Sequence, residues 1–505
     1  MHTKIFSATT VGIHAHLVDV EVDISFGLIN FYIVGLPDVT IKESRQRIVT
    51  ALKNSGFKIP EKKIIVNLAP AYIRKEGTLF DVPIALGILH ASKMIQIPES
   101  FLEETIIIGE LSLEGTIKSI QGALAIACNA KKLGKKRIIV PFENANEAGL
   151  IEDVEVFGVH SLVELVHLIR EETKIMPTKT NVKEYLATQK IDVIDFSDVK
   201  GQVWAKRALQ IAAAGRHNIL FSGPPGSGKT MLAKRLITIM PDMTFQEIID
   251  TTKIYSISGK LGNKSLIGHR PFRSPHHSVS CAGLIGGGTY PKPGEVSLAH
   301  HGILFLDELT EFKRDVLEAL RQPLENHIAE IARVQQSVQY PAQFLLIAAL
   351  NPCPCGYFGD TTKNCMCSQV QLQKYQAKLS GPLLDRIDIR VSVQAVSYED
   401  ATEQNNPDKI SSALLRQGVY KALEMQSIRF KSFDKTNAMM TAHDVEQFCT
   451  LTSQADVVMK KAFSKLNLSM RSYHKILKLA RTIADIEGAE QIDSVHLQEA
   501  IMYKS

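Results

Sequence analysis

One stretch of this chain has the residue types and spacing to handle phosphate: Gly223-Pro224-Pro225-Gly226-Ser227-Gly228-Lys229-Thr230. It meets the pattern GxxxxGK[ST] at every constrained position. The apolar run Ile219-Leu220-Phe221 comes before it and Met231-Leu232-Ala233-Lys234-Arg235-Leu236, of helical character, comes after. In that strand–loop–helix setting the glycines let backbone N–H groups converge on phosphate oxygens, and the helix adds its positive end. Lys229 is placed to reach the β- and γ-phosphates, and the Thr230 hydroxyl to ligate Mg²⁺. The alternative, a glycine-rich turn before an ordinary helix, explains neither the lysine nor the flanking strand. ATP and Mg²⁺ are therefore the expected ligands.

A second chemical stretch is Gly302-Ile303-Leu304-Phe305-Leu306-Asp307-Glu308-Leu309, an apolar strand that stops at two acids. Asp307 would hold Mg²⁺ through the metal's water shell, because Mg²⁺ gives up water reluctantly. Glu308 would orient or deprotonate the attacking water. A third apolar run, Phe344 to Leu350, ends at Asn351, whose amide could hold that water; a turn-starting Asn before Pro352 is the competing reading. Four thiols follow, Cys353, Cys355, Cys365 and Cys367. They suit either a closed tetrahedral zinc site or a reduced cysteine-rich turn, and their single-residue spacers depart from the usual two-to-four spacing. The pair His276-His277 is a weaker metal signal, since adjacent residues of a strand point to opposite faces and no helical i, i+4 partner is present.

These residues need a scaffold. The 505 residues allow about three domains, and 45% hydrophobic with 22% charged residues is ordinary globular composition. A net charge of +5 permits a polyanionic partner without requiring one. No run of about 18 apolar residues reads as a membrane span, the start lacks a signal-peptide pattern, and an odd seven cysteines fit a reducing compartment, so a cytoplasmic protein is expected. In residues 1–172, Val18, Val20, Val22 and Ile24 alternate with Asp19, Glu21 and Asp23, a half-buried strand. Strands at 31–35 and 63–68, a helix after Pro37-Asp38, and a strand–helix alternation from Arg137 to Ile169 give an α/β unit. Residues 173–192 are polar and lysine-bearing and read as a linker. Residues 193–395 carry the nucleotide motifs, and 396–505 read as helices at 411–426, 442–449, 454–466, 470–487 and 494–502, with Thr441 and Ser469 as N-caps and Asp493 starting the last.

Ile108-Gly109-Glu110-Leu111-Ser112-Leu113-Glu114-Gly115 and Arg137-Ile138-Ile139-Val140-Pro141-Phe142-Glu143-Asn144 resemble the proteolytic domain of the Lon family (S5 domain 2-like). By that resemblance the Ser–Lys dyad would fall near Leu79 and Leu124, so peptide hydrolysis by this dyad is not expected. The motifs of 193–395 occur in the order found in AAA+ ATPases. The resemblance makes Asn351 the sensor 1 residue, Arg386 in Gly381-Pro382-Leu383-Leu384-Asp385-Arg386-Ile387-Asp388 an arginine finger supplied to a neighbour, and Arg471 the sensor 2 residue of a helical lid. The long excursion between Lys229 and Asp307, and a hairpin from Ile328 to Tyr340, are similar to the inserts of the magnesium-chelatase branch. In ring helicases such inserts grip nucleic acid, which makes Arg270, Arg273 and Arg333 candidate phosphate contacts. The fold class that follows is multidomain α/β: a Lon-protease-like domain, an AAA+ P-loop α/β/α domain and a C-terminal helical lid. The resemblance implies a hexameric, DNA-dependent ATPase that moves single-stranded or branched DNA during homologous recombination of incoming DNA. A chelatase-type motor that remodels a protein or drives metal insertion shares the same ATPase core and stays open.

Overall fold

The computed structural model describes residues 2–75, 77–188, 194–289, 291–332, 337–360, 363–395 and 410–504, and these form a mixed α/β protein of two compact units. The first comprises Met1–Lys190 and Phe245–Gly268, and the second comprises Ile191–Thr244 and His269–Ser505.

In the first unit, strands His2–Val11, His14–Ser25, Lys63–Ala69 and Asn30–Val34 lie side by side in that order, antiparallel except for the last pair. The alternation read from sequence sets the faces: Val18, Val20 and Val22 are fully buried beneath the helices Val39–Asn54 and Asp81–Ala91, while Asp19, Glu21 and Asp23 are not. Asp38 caps the first of these helices by accepting the Ile41 N–H at 2.8 Å. A parallel sheet of Thr105–Ile107, Arg137–Pro141 and Glu155–Val159 packs with helices Ala123–Ala130 and Phe142–Ala148. Leu124 is fully buried and Leu79 packs between the two apolar clusters, so both dyad positions are occupied by hydrocarbon that serves the core.

Two boundaries differ from those expected. Residues 173–188 are not a free tether. Thr178 N–H donates to Val156 O at 2.8 Å, Thr180 N–H donates to Gly149 O at 2.9 Å, and Val182–Thr188 is helical. The helix Phe245–Ser258, drawn from the middle of the nucleotide-binding sequence, is built into this first unit. It packs on Ala123–Ala130, and its Ser256 Oγ accepts the Gly122 N–H at 3.1 Å. Burial pushes the Glu147 carboxyl up to about 7, against the opposing pull of the Asn144 amide and the Ser256 hydroxyl.

The second unit holds a five-stranded, all-parallel sheet in the order Phe272–Arg273, Ile303–Leu306, Leu345–Leu350, Ile219–Ser222, Ile389–Ser392. The strands are near-continuous apolar runs because helices and loops cover both faces. The sheet's first strand in sequence lies between the third and fourth of those that follow it, so the crevice at its C-terminal end is where a ligand is expected. The C-terminal helices begin where expected, with Thr441 and Ser469 accepting N-cap bonds and Asp493 as N-cap of Ser494–Met502. They are not a separate body: Ile476, Leu479, Ala480 and Ile483, spaced for one face of Met470–Glu487, share a single apolar cluster with Val203–Gly215 and the sheet. Asp485 is fully buried on that helix and compensated by Arg481, Arg429 and the Asn437 amide.

Candidate nucleotide site

The phosphate loop leaves the buried strand Ile219–Ser222 and runs into the helix Lys229–Arg235. Gly226 (φ +79°) and Gly228 (φ +86°) take left-handed conformations that a side chain would oppose. Gly223 is constrained differently, since a Cβ there would lie 2.1 Å from Val393 O. The Lys229 ammonium is enclosed by its own loop and donates to Gly223 O and Pro224 O, each at 2.8 Å. It also reaches Asn351 Oδ1 at 3.4 Å, so the loop lysine and the end of the third apolar strand meet as the motif spacing required. Burial pushes the Lys229 pKa down, and Asp307 partly opposes that. An ammonium held this way by neutral carbonyls is prepared to exchange them for phosphate oxygens.

The acidic strand Ile303–Leu306, one place beyond Leu345–Leu350 in the sheet, also delivers its end to the loop. Thr230 Oγ1 donates to Asp307 Oδ2 at 2.7 Å. A hydroxyl and a carboxylate in contact are hard oxygen donors of the kind Mg²⁺ takes, so these two residues fit that ion. Glu308 is a non-glycine residue at φ +50°, ψ +48°, its N–H donating to Asp307 Oδ1 at 2.9 Å. Strain of this type gathers at functional positions, and here it turns the carboxylate toward open space. That space is a cavity of about 440 Å³ bounded by Glu308, Asn351, Tyr375, Lys374 and Lys378 among others. It leaves room for water beside the carboxylate and the amide.

The sequence reading missed the partner of Glu308. His277 Nδ1 lies 3.4 Å from Glu308 Oε2. The two histidines do not sit on opposite faces of a strand. The strand ends at Arg273, and the His276 and His277 rings lie against each other, centroids 4.0 Å apart and planes inclined at 35°. The paired histidines are the signal for this contact in the sequence, where they read as metal ligands.

The arginines fall elsewhere. Arg386 is 7% exposed, its Nη2 paired with Glu325 and its Nη1 donating to Pro382 O at 2.5 Å, and its Nε is buried without a partner. Arg471 reaches the same Glu325 oxygen at 3.4 Å. The two candidate catalytic arginines thus share one carboxylate, which Arg386 above all holds below its ordinary range. Neither has a side-chain bond to the phosphate loop, Asp307, Glu308 or Asn351 among the described residues. Arg270 departs from its expected role. It is buried and donates to backbone carbonyls, Pro241 O at 2.6 Å, His301 O at 2.7 Å and Asp242 O at 3.2 Å. Arg273 forms a two-pronged pair with Glu295 at 2.5 and 2.8 Å. Arg333 lies outside the described residues.

The four cysteines converge. Sγ of Cys353 lies 3.2 Å from that of Cys355 and 3.7 Å from that of Cys365, and all four sulfurs fall within 4.8 Å of one another. Among the described residues this is the one group of three or more metal-type ligands.

Family models for magnesium chelatase subunit ChlI match residues 195–401, 20–144 and, for its C-terminal part, 409–504. Competence protein ComM of Haemophilus influenzae is 43% identical over 503 residues, covering 99% of this chain and 97% of that protein. The chain belongs to the magnesium-chelatase-like AAA+ family. As a member it is an ATPase of that family. The uncharacterized protein YifB of Escherichia coli is 40% identical over 505 residues, spanning 100% of this chain and 96% of its own. Lon protease 2 of Bacillus subtilis is 31% identical over 127 residues, 25% of this chain and 22% of that enzyme, in keeping with a Lon-like front domain. No helix among the described residues is long and apolar enough to cross a membrane.

Proposed function

We propose that the chain is an ATP- and Mg²⁺-dependent cytoplasmic motor that assembles into a ring, most simply a hexamer. It would act on single-stranded or branched DNA as a branch-migration helicase during recombination of DNA taken up in natural transformation. The observation that carries the ring is the separation of charges: Lys229 serves the phosphate loop, while Arg386 and Arg471 gather at Glu325. Phosphoryl transfer needs positive charge on the transferring group, and an arginine supplied by a neighbour can be worth about 10³-fold or more. In this reading each copy lends its arginine pair to the next. Asn351 and Glu308 hold the attacking water, Thr230 and Asp307 hold Mg²⁺, and the four thiolates hold a structural zinc ion. The DNA role draws support from the likeness to Competence protein ComM and from the hairpin Ile328–Ala332 with Ser337–Pro341.

The test is ATP turnover of the full chain with and without single-stranded and forked DNA, at several salt concentrations, beside sedimentation with nucleotide. We expect assembly, DNA-stimulated turnover, and binding that weakens steeply with salt. Lys229→Ala should abolish turnover. A chain that stays monomeric with nucleotide and DNA, or hydrolyses at full rate as one copy, overturns the ring. Turnover indifferent to every DNA overturns the helicase reading and favours the second one, a chelatase-type motor on a protein partner, which the ChlI family match supports.

A further inference from the structure

We propose that the tetrathiolate cluster is a zinc brace for the ATP site, so that metal occupancy at Cys353, Cys355, Cys365 and Cys367 sets nucleotide affinity. This rests on the nucleotide-site reading above. The first support is the sulfur geometry. Four thiolates about 2.3 Å from a tetrahedral Zn²⁺ lie about 3.8 Å apart, and the separations here are 3.2, 3.6 and 3.7 Å for three pairs. Backbone donors already face two of the sulfurs, Phe358 N–H on Cys353 at 3.3 Å and Cys367 N–H on Cys365 at 3.5 Å, the kind of outer partner that fixes metal ligands.

The second support is what the cluster is joined to. Cys353 follows Asn351 by two residues, so a fixed sulfur anchors the amide that meets Lys229. Gly356, at φ +88°, lies so close over the phosphate loop that a Cβ there would be 2.6 Å from Pro225 Cδ. Directly after Cys367, Ser368 caps the helix Gln369–Gln376, whose Tyr375 hydroxyl accepts from Thr310 Oγ1 at 2.7 Å, two residues beyond Glu308. One knuckle therefore touches the loop, the amide and the wall of the catalytic cavity. Without the metal the crossing between Cys355 and Cys365 has no covalent closure, and the nucleotide would have to order these segments itself. Recovering the order of one or two residues at binding weakens affinity by roughly ten- to hundredfold.

The experiment uses the full chain purified under reducing conditions without added metal. Zinc is counted by elemental analysis, and equilibrium binding of a fluorescent ATP analogue is measured before chelation, after it and after zinc is returned. We expect one zinc ion per chain, affinity that falls roughly tenfold or more on removal, and recovery on return. The double change Cys365→Ser with Cys367→Ser should lose the metal and match the chelated protein, and zinc added back should not rescue it. A wild-type protein without zinc overturns the site. Zinc that can be removed and returned with unchanged nucleotide affinity overturns the brace and leaves the metal count standing. A zinc-loaded protein that binds no nucleotide overturns the phosphate-loop reading and the brace with it.

Discussion

Replacing Glu325 by Gln is the most searching single change at the arginine pair. Among the described residues the carboxylate is the only counter-charge paired with Arg386, whose guanidinium is 7% exposed and already has one buried, unbonded nitrogen. Hydrogen bonds to charged groups contribute about 1.5–3 kcal/mol. Glu325 is 48% exposed, so water recovers part of that, and about 1 kcal/mol is a fair figure for holding Arg386 in place. Gln keeps the shape and an acceptor oxygen but leaves two like-charged guanidiniums side by side. Arg386 should then leave its seat, and turnover of the assembled protein should fall about five- to tenfold, since 1.36 kcal/mol is a factor of ten in rate. Nucleotide affinity should not change, because among the described residues neither arginine bonds the phosphate loop of its own copy. The assay is steady-state ATP turnover beside equilibrium nucleotide binding, in wild-type and Arg386→Ala backgrounds. If Glu325→Gln costs as much without Arg386 as with it, or if turnover rises, the carboxylate does not act by positioning that arginine and the reasoning fails.

Other perturbations follow from the same contacts. Glu308→Gln should keep nucleotide binding and lower hydrolysis by roughly 10²- to 10⁴-fold, read as turnover against analogue affinity. Arg270→Ala should lower the unfolding free energy by about 1–3 kcal/mol by orphaning buried carbonyls, while the salt slope of DNA binding stays as in wild type. Glu147, raised by burial to about 7, binds its proton more tightly folded than unfolded. Its stabilising contribution is therefore fully present below about pH 4.5 and is lost as pH rises through 7, leaving a cost of about 3 kcal/mol at pH 8. Glu147→Gln should remove most of that slope in a thermal unfolding series. Asp81, pushed up by burial to about 6 despite Arg47, should leave a smaller one in the same direction.

What could be read from the sequence was whatever is encoded by local periodicity or by motif. The alternation at Val18–Ile24, the N-caps at Thr441, Ser469 and Asp493, and the loop–acid–amide set of Lys229, Asp307 and Asn351 each carry a residue-type signal within a few positions. Arg270 gives no such signal. Its partners include carbonyls of Pro241, Asp242 and His301, which any residue possesses, so an exposed phosphate contact and an enclosed brace look alike in sequence. Glu325 at a helix end reads as solvated until the fold delivers two arginines to it. Nothing in the local pattern of Phe245–Ser258 says which core receives that helix.

That borrowed helix bears on any attempt to cut the protein apart. The polypeptide passes from one compact unit to the other at 190/191, returns at 244/245 and leaves again at 268/269. A truncation ending at residue 172 keeps Gly122 and Glu147 but discards Ser256, so it strips a buried amide of its acceptor and removes a hydroxyl that favours the ionised form of a buried acid. The front half is not a detachable module, and any piece meant to fold alone must have residues 245–268 grafted back onto it.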